Sequence, residues 1–170
     1  MAEYVDYPFD SQFLTLADGL RLHYVDEHYV DESPTADDRP VLLMAHGNPT
    51  WSYFWRKPIT QFRDRFRCVA LDHIGCGLSD KPDEEEYPFT LERRITDLIE
   101  LIEHLDLKRI TLIAHDWGGA IGMGAATRLP ERFEQFVFMN TAVFRSTLCP
   151  VRIRFCRMPT RCGFFPCIPD

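Results

Sequence analysis

Residues 110–126, ITLIAHDWGGAIGMGAA, pass from a strand-like run into a helix-like one with no linker between them. Ile110–Ala114 is short and continuously apolar, the pattern of a strand buried on both faces. Trp117–Leu129 reads as a helix, yet it holds Gly118, Gly119, Gly122 and Gly124. Each glycine costs roughly 1 kcal/mol relative to alanine inside a helix, so the four together need a structural reason. Gly118, Gly122 and Ala126 are four apart and share one face. That spacing predicts a helix pressed closely against a sheet. A membrane dimerisation motif uses the same small residues, but 13 residues are too few to span a bilayer.

The rest of the chain alternates in the same way. Gln12–Leu16 and Leu20–Asp26 flank Ala17-Asp18-Gly19, which predicts a β-hairpin. Residues 28–40 are polar and contain proline, so they form a loop. Val41–Ala45 (VLLMA) is a buried strand, Ser52–Phe62 a helix and Arg67–Leu71 a further strand. Asp72–Pro82 is a turn-rich loop, and the acid run Asp83–Glu86 is a solvated one. Thr90–His104 is helical, with Leu91, Ile95, Leu98, Ile99, Ile102 and Leu105 on one face. Thr90 lacks the acidic half of a capping box, because Arg93 stands three residues on. Phe136–Asn140 closes the series as a buried strand. The predicted class is α/β: a mostly parallel sheet with an N-terminal antiparallel hairpin and flanking helices.

Composition narrows the function. Apolar residues make up 45% of the chain, too many for a disordered segment. A net charge of −7 without a basic stripe argues against a nucleic-acid partner. No apolar run is long enough for a membrane span. The acidic N-terminus, MAEYVDYPFD, has no signal core, so a cytoplasmic location is expected. Cys149, Cys156, Cys162 and Cys167 form no C-x-x-C pair and have no histidine nearby, so neither metal nor cofactor is expected. Without a secretory signal they are read as thiols packed as small hydrophobes. Residues 145–170 hold five arginines and a single acid, and the composition shift marks a boundary near residue 145.

In open α/β sheets ligands sit at the carboxyl ends of the strands. Three such ends carry reactive or turn-forming residues. They are His46-Gly47-Asn48-Pro49-Thr50-Trp51-Ser52, Asp72-His73-Ile74-Gly75-Cys76-Gly77-Leu78-Ser79-Asp80 and Ala114-His115-Asp116-Trp117-Gly118-Gly119. The third has the small-x-acid-x-Gly pattern of a nucleophile elbow, with Asp116 where serine is usual and Ala114 where the first glycine is usual. Two readings of Asp116 stand open: a helix N-cap, where Asp is favoured, or a nucleophile. A carboxylate is ionised at neutral pH and needs no base for a first attack.

Together these phrases resemble the haloalkane dehalogenases of the α/β-hydrolase superfamily, from about residue 10 onward. The resemblance implies displacement of halide from an sp³ carbon by Asp116, leaving an alkyl ester that water then hydrolyses to an alcohol. It implies that the Asn48 amide and the Trp117 indole N–H hold the departing halide, and that the backbone N–H groups of Asn48 and Trp117 form the oxyanion hole. The implied partners are a small apolar halogenated substrate, water and halide, with no protein partner. Taken singly, Asn48 is a turn residue before proline and Trp117 a core residue; side by side with Asp116 they read as a site. His46 and His115 are read as structural, since the superfamily places its base after the last strand. Asp72, Gly75, Gly77 and Ser79 shape a tight loop, and Trp51, Phe54 and Trp55 belong to core or pocket wall.

The histidines, His23, His28, His46, His73, His104 and His115, all precede Asp116. The superfamily order of nucleophile, acid, histidine is therefore incomplete in these residues. The expectation is the N-terminal part of an enzyme truncated before the last strands: residues 1–144 from the hydrolase core, 145–170 from the start of a helical cap. By itself this stretch is expected not to turn over. An epoxide hydrolase of the same fold is the alternative enzyme, although an apolar residue is more usual there at the position of Asn48. A non-catalytic remnant that binds small ligands is the alternative outside enzymes.

Overall fold

A computed structural model describes residues 4–28 and 39–141. Among them are six strands: β1 (Gln12–Thr15), β2 (Arg21–Glu27), β3 (Val41–Ala45), β4 (Arg67–Leu71), β5 (Ile110–His115) and β6 (Phe133–Met139). Three α-helices accompany them: α1 (Arg56–Phe62), α2 (Leu91–His104) and α3 (Trp117–Arg128). The strands form one sheet in the order β1-β2-β4-β3-β5-β6. β1 pairs antiparallel with β2, and β2 antiparallel with β4; β4, β3, β5 and β6 run parallel. The predicted α/β class and hairpin are thus observed. Gly19 turns the hairpin at φ +91, a conformation that costs glycine nothing.

The central strand shows why the sheet needs helices on both sides. Val41, Leu43 and Ala45 pack with Leu98 and Leu101 of α2 and with Ile121 and Ala125 of α3. Leu42 and Met44 point the other way, against Trp55 and against Ile59 and Phe62 of α1. Every residue of β3 is buried, as its unbroken apolar run predicts.

The glycines of α3 are explained by contact. A Cβ on Gly118 would strike the Ala45 carbonyl, one on Gly122 the Leu112 side chain, and one on Gly124 the Ile95 side chain of α2. The helix is therefore seated closely on the sheet and on α2 at once, as the spacing of small residues predicts.

Two elements differ from expectation by more than one residue at an end. The predicted helix Ser52–Phe62 is a 3-10 turn over Ser52–Trp55 followed by α1. Pro58 has no N–H for the Phe54 carbonyl, so the α-helical pattern cannot include Phe54, and Pro58 sits in the first turn of α1, where no N–H is needed. Strand β6 starts at Phe133, not Phe136, and ends at Met139. Exposed Glu134 and Gln135 interrupt its apolar pattern, and the register shifts there between Ile110 and Thr111 of the facing strand. β6 is also half-buried rather than fully buried, because it is the outermost strand of the described sheet. Thr90 does cap α2, its hydroxyl accepting from Arg93 N–H at 3.2 Å. The predicted boundary at residue 145 and the cap segment 145–170 lie outside the described residues.

Gly118→Ala should lower stability by about 1–3 kcal/mol, because the added methyl meets backbone that cannot rotate away. Urea denaturation measures this; an unchanged midpoint would contradict the close seating of α3.

Candidate active site

β5 ends at His115 and α3 begins at Trp117, so Asp116 alone makes the turn. It does so at φ +52 and ψ −127, a region a non-glycine residue rarely enters. Its carbonyl accepts from Gly119 N–H at 3.1 Å and from the Thr141 hydroxyl at 2.5 Å. Asp116 occupies the N-cap position of α3 but makes no capping bond with its side chain. The cap reading is therefore set aside. Instead Oδ1 accepts from the backbone N–H of Asn48 at 3.0 Å. Gly47 makes room for this, since a Cβ there would overlap the Asp116 carboxylate.

The structure thus joins Asp116 to Asn48 across 68 residues of chain. Trp117 adjoins them as the first residue of α3, where a backbone N–H has no acceptor within the helix. Its side chain is 52% exposed, so it is not core. The Asn48 side chain is also exposed, with Oδ1 3.9 Å from the Cys76 thiol. Trp55 is core, while Phe54 is 41% exposed and stacks on His115, ring centroids 5.0 Å apart.

Behind the site lies a buried carboxylate. Asp72 accepts from His23 Nδ1–H at 2.9 Å, Ser52 N–H at 2.7 Å and Leu78 N–H at 2.8 Å. Burial alone would push its carboxyl up, but the His23 contact and the N–H donors outweigh that and hold it below the usual carboxylate value. Gly77, at φ +50, packs where a Cβ would strike that carboxylate, and the Ser79 hydroxyl donates to the Asp72 carbonyl at 2.6 Å. The expected tight loop is therefore built around Asp72. The sequence alone assigns His23 no role. The one signal was a histidine inside the apolar run of β2, and its partner is 49 residues away.

His46 and His73 form a second buried group, ring centroids 4.4 Å apart. His46 Nε2 accepts from His73 N–H at 3.1 Å, so its proton sits on Nδ1, which donates to the Gly47 carbonyl at 2.7 Å. His73 Nε2–H donates to the His46 carbonyl at 3.1 Å. Burial depresses both imidazoles, His73 well below the usual histidine value, with His46 and Arg94 adding to its shift. Both side chains support backbone, as expected of His46.

A parallel sheet with a strained strand-to-helix turn bearing a carboxylate is the geometry of a nucleophile elbow. The α/β-hydrolase fold model matches residues 40–154. The chain belongs to the α/β-hydrolase fold family. It is 44% identical to a cis-3-alkyl-4-alkyloxetan-2-one decarboxylase of Shewanella oneidensis, over 88% of this chain and 45% of that one. It is 40% identical to haloalkane dehalogenase 2 of Mycobacterium tuberculosis, over 79% of this chain and 43% of that one. Among solved structures it resembles the haloalkane dehalogenase DpaA of Paraglaciecola agarilytica, with TM-score 0.71 and 38% identity over 81% of this chain and 45% of that one. The chain spans less than half the length of these relatives. Among the described residues, no helix is long and apolar enough to cross a membrane and no cluster of side chains could hold a metal ion.

The buried imidazoles make stability depend on pH. A histidine whose folded value is depressed stays neutral while the unfolded chain takes up a proton below about pH 6.5. Stability therefore falls as pH drops below that value, by up to about 1.4 kcal/mol per pH unit for each such group. Asp72 adds a further loss at lower pH: its contribution is present above about pH 4 and disappears as pH falls through its depressed folded value. Denaturation midpoints between pH 7 and 5 check the first limb. A flat profile there would show that His46 and His73 protonate in the folded chain.

Proposed function

We propose that Asp116 is the nucleophile of a covalent ester mechanism, and that the substrate is a 3,4-dialkyl oxetan-2-one which the enzyme decarboxylates. The observation that carries this is the Asp116 carboxylate itself. One oxygen rests on Asn48 N–H, and the other accepts no hydrogen bond among the described residues. The 44% identity to an oxetan-2-one decarboxylase supports the substrate class.

The chemistry balances without water. Asp116 attacks ring carbon 4, the bond from that carbon to the ring oxygen breaks, and its electron pair leaves as the carboxylate of the opened substrate. The Asn48 amide and the Trp117 indole N–H, the predicted halide pair, would hold that carboxylate. Carbon dioxide is then lost: the electron pair of its carbon–carbon bond becomes the alkene and expels Asp116 as a carboxylate. The Asn48 backbone N–H favours this step, because it stabilises the charge returning to Asp116.

Haloalkane dehalogenation is the second reading, favoured by the Asn48–Trp117 pair and by the 40% identity to a dehalogenase. Here halide takes the place of the leaving carboxylate. Water then adds to the ester carbonyl of Asp116, with the backbone N–H groups of Asn48 and Trp117 on the oxyanion; collapse breaks the bond from that carbonyl carbon to the alkyl oxygen, one water proton leaves with the alcohol, the other goes to solvent, and Asp116 is again a carboxylate.

Protein expressed from its full reading frame, given a cis-3,4-dialkyl oxetan-2-one, should release the alkene, measured by gas chromatography. Asp116→Asn should lower kcat by about 10⁴-fold or more. Bromide release from 1,2-dibromoethane without alkene formation would replace the decarboxylase reading with the dehalogenase one. Activity retained by Asp116→Asn would remove the nucleophile assignment from both.

Trp117→Phe separates a binding from a packing role. It removes one charge-assisted hydrogen bond worth roughly 1.5–3 kcal/mol, so a bound anion should weaken by about tenfold or more. Bromide quenching of tryptophan fluorescence should fall with it. Unaltered bromide affinity in Trp117→Phe and in Asn48→Ala would dismiss the pair.

A further inference from the structure

We infer that His46 is a positioning residue for the proposed oxyanion donor: it holds the Gly47 carbonyl so that the Asn48 N–H of the same peptide unit is aimed at Asp116. This rests on the reading of Asp116 as nucleophile.

A trans peptide is planar, so its C=O and N–H point in opposite directions. Fixing one end fixes the other. Three donors converge on the Gly47 carbonyl: His46 Nδ1–H at 2.7 Å, Thr50 N–H at 3.1 Å and the Thr50 hydroxyl at 3.0 Å. At the opposite end Asn48 N–H donates to Asp116 Oδ1 at 3.0 Å. Turning the peptide over would break all four bonds.

The need for such a hold follows from Gly47. The Asp116 carboxylate leaves no room for a side chain there. Glycine is also the residue whose backbone rotates most freely, so the peptide that carries the donor is the one most easily flipped. His46 opposes the flip because it is itself held. Its Nε2 accepts from His73 N–H, which leaves the proton on Nδ1, and its carbonyl accepts from His73 Nε2–H. Donors on the carbonyl also polarise the peptide and strengthen its N–H.

The test reads the peptide apart from catalysis. Gly47-Asn48 is the only Gly–Asn pair in the sequence. Labelling glycine with carbonyl ¹³C and asparagine with ¹⁵N selects the amide signals of Gly–Asn pairs, and the one missing from Asn48→Ala is assigned to Asn48. His46→Asn keeps a donor at the Nδ1 position; His46→Gln does not, and instead carries its polar atoms at the position of Nε2. The Asn48 amide proton should move upfield in His46→Gln and stay in place in His46→Asn. kcat should fall by about 10²-fold in the first, with KM held within about threefold, and recover in the second. If His46→Gln does not fold, Thr50→Val removes one of the three donors and should shift the same signal in the same direction. An Asn48 signal unmoved by His46→Gln, or by Thr50→Val in its place, overturns the positioning role whatever the activity. A shifted signal with unchanged kcat supports the positioning role and instead overturns the oxyanion role of Asn48.

Discussion

The end of β3 and the first turn of α3 meet with no side chain between them, and the candidate site depends on that approach. Gly118 touches the Ala45 carbonyl and Gly47 touches the Asp116 carboxylate, so a methyl at either place would push the two segments apart. The chain can then pass from strand to helix through one residue. That residue, Asp116, takes a conformation whose cost is on the order of 1–3 kcal/mol. Bonds at both of its ends offset the cost: the Thr141 hydroxyl on its carbonyl and the Asn48 N–H on its carboxylate. The strain and the close approach are one feature, since a relaxed Asp116 would carry its carboxylate away from Asn48.

The loop that carries Asn48 is secured at both ends by buried polar groups, and the two ends use opposite electrostatics. At one end His46 and His73 are buried as neutral imidazoles, each donating through one ring nitrogen to a backbone carbonyl. At the other end Ser52 N–H meets the Asp72 carboxylate, which His23 and Leu78 also approach. Tyr7 adds its hydroxyl to the Ser52 side chain at 2.6 Å, tying in the segment ahead of β1. A buried carboxylate is tolerable when several donors surround it, and a buried imidazole when it sheds its charge. Residues 46–52 are thus held by their own bonds to the Gly47 carbonyl and by contacts from the loop after β4 and from the N-terminal segment, with His23 of β2 behind Asp72.

Much of this was legible in the sequence because it is written in local pattern. The unbroken apolar runs of β3 and β5 and the small-residue face of α3 each state their burial directly. The tight strand-to-helix turn was legible because the apolar run of β5 meets small residues with no linker between them. What stayed hidden depended on partners far along the chain. His23 looks like any polar residue in a strand until Asp72 is beside it. The start of β6 was masked by Glu134 and Gln135, which are exposed on the outermost strand of the described sheet. The division between Trp55 and Arg56 was readable in principle from Pro58, and periodicity in Phe54, Trp55, Ile59 and Phe62 outweighed it.

In the proposed mechanism the nucleophile does not decide between the two chemistries. Asp116 and the nearby N–H donors serve any sp³ carbon whose leaving group departs as an anion, and a carboxylate or a halide meets that need. The paths part after the ester has formed. Hydrolysis requires water at the ester carbonyl and donors on the oxyanion that results. Decarboxylation requires that the carboxylate released from the ring stay attached to the neighbouring carbon, where its own electron pair can expel Asp116. Water is then a competitor, because it would divert the same ester to a hydroxy acid. Among the described residues, Asn48 and Trp117 beside Asp116 are both exposed. In the proposal the choice between alkene and alcohol therefore rests on whether water reaches the ester, and the step that forms the ester is common to both.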